Sequence, residues 1–277
     1  MAPAGKGETM TKRHLAAILA GVLAGALVVA ASLAWWRAPR PRPPSVPDAG
    51  LPRPCRAVES ETVAYIVCEA DPGAYEVTLA RLDAQARPYG SVKAFAQAMA
   101  ARGTPVLLAM NAGMYHKDLS PVGLFVEDGR QQAVLNLADG EGNFFLKPNG
   151  VFFIGKDGRA GVIESGAYQA AGMEPRFATQ SGPMLVTGGR LHPRFLEDGT
   201  SRYIRNGVGV RDDGTAVLAI SRAPVSLGSF GRLFRDVLAC PNALFFDGAV
   251  SALSSGNRML VGGDYPAGPI LAVRARK

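Results

Sequence analysis

Residues 15–36 (LAAILAGVLAGALVVAASLAWW) run without a single charge, and that stretch divides the chain into parts that cannot fold alike. A helix rises about 1.5 Å per residue, so the run reaches about 33 Å, enough to cross a ~30 Å hydrocarbon core. It exceeds the ~7–15 residue apolar core of a cleaved signal peptide. Trp35 and Trp36 close it, where indoles favour the boundary between water and apolar chains. Lys12 and Arg13 precede it and favour a cytoplasmic tail over residues 1–14, although Arg37, Arg40 and Arg42 on the other flank weaken that asymmetry. Small residues at Ala30, Ala31, Ser32 and Ala34 leave cleavage open. The reading is export, either with an N-terminal apolar helix as anchor or by secretion after signal cleavage.

Residues 37–54 (RAPRPRPPSVPDAGLPRP) are dense in proline, which opposes helix and ladder alike and predicts a stiff, extended linker. A single domain is expected over residues 55–277, long enough to bury a sizeable core. The net charge of +7 suggests a nucleic-acid partner only until it is located. Through residue 54 there are seven Lys and Arg against Glu8 and Asp48, whereas the remainder carries 23 basic and 21 acidic residues. No basic cluster interleaved with aromatics follows, so nucleic acid is excluded as a partner.

Short strand-like runs dominate the domain: 63–67, 75–82, 105–110, 122–126, 150–154, 183–186, 216–220, 243–246 and 270–273. Turn signals at 127–129, 156–158 and 212–214 punctuate them. Two helices are predicted. Ser91 caps one whose apolar stripe is Val92, Phe95, Ala96 and Met99, ended by Gly103; the other runs over 229–239, with Phe230, Leu233, Phe234, Val237 and Leu238 on one face and Pro241 as its stop. The fold class is α+β: one domain with a mixed, mainly antiparallel sheet and a few packing helices. The three cysteines, Cys55, Cys68 and Cys240, lack zinc spacing, and an oxidising compartment gives one disulfide with one thiol over.

Four stretches do not read as ordinary core or turn. They are 110–116 (MNAGMYH) with Asp118 and 120–123 (SPVG), then 178–185 (ATQSGPML), 205–210 (RNGVGV) and 245–251 (FFDGAVS). Asn-Gly and Asp-Gly are common turn dipeptides, so each alone is more simply a turn. Ser181 is not a hydrolase nucleophile by pattern, since no G-x-S-x-G occurs. His192, before Pro193, reads as a loop residue.

In order, NAGMYH-DLSPVGL, GNFFLKPNGVFF, ATQSGPML, RNGVGV and CPNALFFDGAVSAL cover nearly all of residues 63–273. This series resembles the phosphodiester glycosidase family, and in particular its small bacterial envelope branch. The resemblance implies an exported hydrolase cleaving a sugar-1-phosphodiester in envelope or extracellular glycoconjugates, on the periplasmic face of the inner membrane. It implies catalytic roles for Asp247, Arg205, His116 and Asp118, and substrate binding by Asn111, Gly113, Ser181, Gly182, Asn206, Gly207, Gly248 and Ser251. Cleavage at the anomeric carbon builds oxocarbenium character that a carboxylate can stabilise or attack, and the planar guanidinium of Arg205 suits a phosphate. The acidic-glycine motif departs from the family pattern at Ala249 and Val250, which replace glycine or serine. A Cys68–Cys240 disulfide is likewise implied, with Cys55–Cys68 as the alternative. No cofactor or metal is called for. The other functional classes are a non-catalytic module binding glycans or anionic polymers, and a phosphodiesterase that breaks the P–O bond.

Overall fold

The computed structural model describes residues 50–196 and 199–276, with the backbone of Ser45–Val46. The expected cytoplasmic tail, the anchor at 15–36 and most of the linker lie outside the described residues. Among the described residues no helix is long and apolar enough to cross a membrane. The described residues belong to one compact unit.

Eighteen strands, numbered along the chain, form three sheets in which every pairing among the described residues is antiparallel. The first sheet orders β1 (Ser45–Val46), β2 (Cys55–Ser60), β3 (Val63–Ala70), β14 (Ala216–Ser221), β13 (Asn206–Val210), β15 (Asn242–Phe245), β11 (Met184–Thr187) and β12 (Arg190–Leu191). The second orders β7 (Arg130–Ala133), β6 (Phe125–Glu127), β10 (Phe177–Ser181), β8 (Gly150–Ile154) and β9 (Ala160–Glu164). The third orders β17 (Arg258–Val261), β16 (Leu253–Ser255), β5 (Leu108–Asn111), β18 (Ile270–Ala275) and β4 (Tyr75–Ala80). Mainly antiparallel sheet with a few helices is thus the architecture expected of the α+β class, here divided among three sheets. The proline-rich linker also contributes a ladder. Ser45 and Val46 pair with Val58 and Ala57 at the sheet edge, a correction to the expectation of a plain spacer. Both residues retain the amide that the flanking Pro44 and Pro47 lack.

The main core lies where the sheets converge, with Ile66, Leu218 and Leu244 of the first sheet against Phe152 and Phe177 of the second and Met110 and Leu271 of the third. Burying each such side chain contributes about 1.5–3 kcal/mol. Period-two alternation sends the neighbouring residues Tyr65, Val67, Val217 and Phe245 to the opposite face of the first sheet. That face is covered by α3 (Leu227–Arg232), the continuation of which, Leu233–Val237, is wound as a π turn. The helix expected over 229–239 thus starts earlier, capped by Ser226, whose hydroxyl accepts from the Ser229 amide. Helix α1 (Val92–Ala101) follows expectation: Ser91 Oγ accepts from the Ala94 amide at 3.1 Å, and Val92, Phe95, Ala96 and Met99 are buried against the third sheet. A further helix, α2 (Ser165–Ala171), carries Tyr168 onto the second sheet.

The disulfide joins Cys55 to Cys68, which face each other across β2 and β3. This corrects the Cys68–Cys240 pairing. Cys68 points into the main core, whereas Cys240 is buried with Phe234 on the other face of the same sheet, so strand alternation keeps the two apart. Cys240 is a free thiol, its pKa pushed up to about 12 by burial.

Candidate functional site

The first and third sheets meet at two asparagines. Asn111 ends β5, and Asn206 begins β13. The Asn206 Nδ2 donates both to the Asn111 carbonyl (2.7 Å) and to Asn111 Oδ1 (3.0 Å), so one side chain ties the two sheets together. Asn111 Oδ1 also accepts from the Ala252 amide at 2.9 Å, and Asn206 Oδ1 accepts from the Asp247 amide at 3.2 Å. Both backbone partners are donors only, which fixes the orientation of each side-chain amide. Asn111 Nδ2 is left buried without a partner.

This clamp holds the loop that β15 delivers. The Phe246 amide donates to the Asn206 carbonyl at 3.1 Å, and Ser251 Oγ lies 2.7 Å from the Asp247 carbonyl and 2.9 Å from the Ile204 carbonyl. Asn206 and Ser251 therefore spend their polar groups on the loop and on its neighbours Asn111 and Ile204 rather than displaying them to a ligand. Ser181 is also placed inside: it is fully buried and donates to the Phe246 carbonyl at 2.9 Å. All three act on the site by positioning Asp247.

Asp247 is partly buried, and its Oδ1 accepts from the Ala249 amide at 3.1 Å. Burial raises its pKa above the ordinary aspartate value, opposed only by backbone hydrogen bonds from Ala249 and Gly248. Tyr115 stands within its field. The phenol pKa is pushed up to about 12, first by burial and then by the Asp247 charge, and its hydroxyl donates to the Pro266 carbonyl.

Arg205 flanks the same turn. It is 1 % exposed and forms no ion pair with any described carboxylate. Its Nε donates to the Val225 carbonyl (2.8 Å) and its Nη2 to the Ser201 carbonyl (2.9 Å), while the guanidinium lies between the rings of Phe245 (5.2 Å) and Tyr203 (5.6 Å). Burial lowers its pKa to about 10, so it remains a cation at neutral pH. Nη1 faces Gly248: a methyl at that glycine would stand 3.4 Å from it. A buried cation without an anion is costly to a fold, and such groups cluster at functional sites.

The remaining candidates separate into two kinds. His116 and Asp118 sit on the exposed tip of a turn closed by the Tyr115–Pro121 bridge, and neither hydrogen-bonds to the Asp247 loop. Asp118 accepts from both the hydroxyl and the amide of Ser120, which lowers its pKa. Gly113, Gly182 and Gly207 mark close packing instead of open amides. A Cβ would come within 2.5 Å of the Gln180 carbonyl oxygen at Gly113, 2.5 Å of the Phe144 carbonyl oxygen at Gly182, and 2.6 Å of the Leu244 carbonyl oxygen at Gly207. His192 is buried, stacked on Phe195, with Nδ1 accepting from the Arg194 amide. Tyr115 lies within the 110–116 stretch without a role of its own there, and Tyr203 and the Ile204 carbonyl carry no sequence pattern that would have assigned them. Among the described residues no group of three or more His, Cys, Asp or Glu is placed to hold a metal. A separate hollow of about 330 Å³, lined among others by Tyr89, Phe95, Arg176 and Arg274, contains none of these residues.

Three antiparallel sheets thus hold, at a sheet junction, Asp247 next to Gly248 in the chain and the Arg205 guanidinium packed against the same glycine. The phosphodiester glycosidase family profile matches residues 104–266, a span that includes every candidate site residue from Asn111 to Ser251. The chain belongs to the phosphodiester glycosidase family. It is 34 % identical over 204 residues to the uncharacterized protein YigE of Escherichia coli (strain K12), covering 74 % of this chain and 76 % of that one. Its fold is similar to that of the catalytic domain of zebrafish N-acetylglucosamine-1-phosphodiester alpha-N-acetylglucosaminidase, solved in a form auto-inhibited by its pro-peptide. There the TM-score is 0.56 at 14 % identity, over 80 % of this chain and 82 % of that one. A hypothetical protein from Synechocystis shares the fold at a TM-score of 0.54 and 14 % identity, over 80 % of this chain and 61 % of that one.

Proposed function

We propose that this protein is an exported hydrolase of sugar-1-phosphodiesters, with Asp247 at the anomeric carbon and Arg205 at the phosphate. One observation carries the reading. A carboxyl raised in pKa by burial and a buried guanidinium flank the same glycine, yet form no ion pair with each other. Opposite charges held apart on a rigid floor suit a substrate that supplies the missing partner of each. The phosphate would meet Nη1 of Arg205, and positive charge developing on the sugar would meet Asp247.

In the reaction the bond between C1 and the phosphate oxygen breaks, and its electron pair leaves with the phosphomonoester. Water supplies hydroxyl to C1, and its proton passes to solvent or to the phosphate. Phosphate is a good leaving group, so charge stabilisation matters more than a strong general acid. That fits a site in which His116 and Asp118 stand exposed, without a hydrogen bond to the Asp247 loop. Hydrolysis of a sugar-1-phosphodiester in oxygen-18 water is expected to label the C1 hydroxyl, and Arg205→Met to lower kcat/KM by about 10²–10³-fold. Label in the phosphate would mean P–O cleavage instead. Binding of envelope glycans without turnover would mean a non-catalytic module.

The apolar run at 15–36 would hold the domain at the periplasmic face of the inner membrane, within reach of envelope glycoconjugates. Fractionation of cells, with protease added from the periplasmic side, tests that placement: release of the intact domain into the soluble fraction would mean secretion after cleavage.

A further inference from the structure

We propose that the hollow beside α1 is a second ligand site, built for a small organic anion: a carboxylate on a flat, apolar body. It lies between β4 and β18 of the third sheet and β6 and β10 of the second, and its lining includes no residue of the Asp247 loop. The inference does not depend on the sugar-1-phosphodiester reading.

Arg274 supplies the charge. In the antiparallel register of β18 with β4 it stands opposite Glu76, so the two side chains share one face of the sheet. The Glu76 carboxylate is nevertheless engaged by Arg176, whose Nη1 donates to it at 3.1 Å while its Nε donates to Asp128 at 2.9 Å. Arg274 forms no ion pair with any described carboxylate. Its Nη2 meets only the Met99 sulfur, at 3.3 Å, and its Nε is buried without a partner. A thioether is a weak acceptor, so most of the donor capacity of this guanidinium is unspent, and its planar fork matches the two oxygens of a carboxylate.

The surroundings of Arg274 define the rest of the ligand. The hollow measures about 330 Å³, at the lower end of the range for small-molecule sites. Leu79, Phe95, Met99 and Phe177 line it and are buried. The half-buried Tyr89 stands edge-on to Phe95, with ring centroids 5.0 Å apart, and its hydroxyl accepts from Arg102 Nη1 at 3.1 Å, so this aromatic wall is held at both ends. Such a lining suits a planar hydrocarbon body better than a polyol. Glu76, Glu127 and Asp128 also line the hollow, and their repulsion of a phosphate dianion is twice that of a singly charged carboxylate. Glu127 forms no ion pair among the described residues and accepts from Gln132 Nε2 at 2.8 Å, which leaves its second oxygen for a hydroxyl on the ligand.

The probe is 4-hydroxybenzoate, titrated calorimetrically into the full-length protein, with 4-hydroxybenzamide and inorganic phosphate as comparisons. Wild type is expected to bind the acid with a Kd on the order of 1 mM or below, and the amide and phosphate at least about ten-fold more weakly. Arg274→Gln is expected to weaken the acid at least about ten-fold. Arg274→Lys, which keeps the charge without the planar fork, should fall between Arg274→Gln and wild type. Arg205→Met is expected to bind the acid as wild type does. No binding by wild type, equal binding of the acid and either comparison compound, or binding that survives in Arg274→Gln would overturn the site. Binding that Arg205→Met removes would also overturn it, because the anion would then sit beside Asp247. If Arg274→Gln does not fold, Arg274→Lys is read in its place: weakened binding of the acid supports the site, and binding equal to wild type overturns it.

Discussion

A carboxyl that is partly buried and forms no ion pair holds its proton to higher pH than an ordinary aspartate, and Asp247 is such a group. Two consequences follow with opposite signs. For turnover, the ionised form does the work, so kcat/KM should fall on the acid side with a midpoint above the ~3.9 of an unperturbed aspartate. For stability, a raised folded-state pKa means that the folded protein binds this proton more tightly than the unfolded chain. The ionised carboxylate therefore opposes folding as pH rises through the folded value. Asp247→Asn keeps the oxygen that accepts from the Ala249 amide and removes the charge. It is expected to lose at least 10³-fold in kcat/KM while raising Tm at pH 7 by a few degrees; a variant that melts lower, or that retains activity, would count against the assignment. Asp247 was readable from sequence as an apolar run ending on Asp-Gly. Its neighbours were not readable in the same way. Asn206 and Ser251 look like ligand-binding side chains in a string, and only the three-dimensional clamp shows that their donors and acceptors are already used.

Among the elements, the strands that sequence located are those with an apolar run or a regular alternation, as in 75–82, which contains β4. Residues 150–154 form β8 as read, and 216–220 lie within β14. Two strands beside the site escaped because glycine and polar residues interrupt their alternation. FATQS is β10 and NGVGV is β13, and all ten of these residues are buried. The glycines that disguise β13 are required by its packing. At Gly207, paired with Phe245, a Cβ would meet the Leu244 carbonyl oxygen at 2.6 Å, and at Gly209 it would meet Cys240 Sγ and Phe234 at 2.7 Å. A backbone oxygen cannot move aside as a flexible side chain can. Gly207→Ala is therefore expected to cost ~2–4 kcal/mol by denaturant titration, through displacement of β13 from β15. Because Asn206 precedes it, the surviving folded fraction should also show a lower kcat. An alanine tolerated with unchanged stability would mean that the strand has room the packing does not show.

At the level of the whole molecule, the N-terminal hairpin is fastened to the first sheet twice, side by side. Cys55 and Cys68 join β2 to β3 covalently, and one residue further on Glu69 receives Arg56 Nη2 at 2.8 Å and a two-pronged contact from Arg211 at 2.9 and 3.0 Å. Arg211 Nε in turn donates to the Leu238 carbonyl, so the ion cluster also ties down the end of the α3 segment. Burial alone would push the Glu69 pKa up, but the hydrogen bonds and charges of Arg211 and Arg56 outweigh it and hold the carboxyl at about 2. A carboxyl whose folded pKa lies below its unfolded value of ~4.3 stabilises the fold fully above that value, and the benefit disappears as pH falls toward 2. The shift corresponds to about 3 kcal/mol. The disulfide closes a 13-residue separation, worth ~2–3 kcal/mol on the chain-entropy account, with no pH dependence of its own over this acid range. Denaturant titrations between pH 2 and 7 should separate the two fastenings. Wild type is expected to lose stability steeply below pH 4.5. Glu69→Gln should start lower at pH 7 and fall less, so that the two curves converge near pH 2. Cys55→Ser should shift the wild-type curve downward by a near-constant amount. If Glu69→Gln ran parallel to wild type down to pH 2, the acid sensitivity would belong to other carboxylates and the cluster would be a packing device alone.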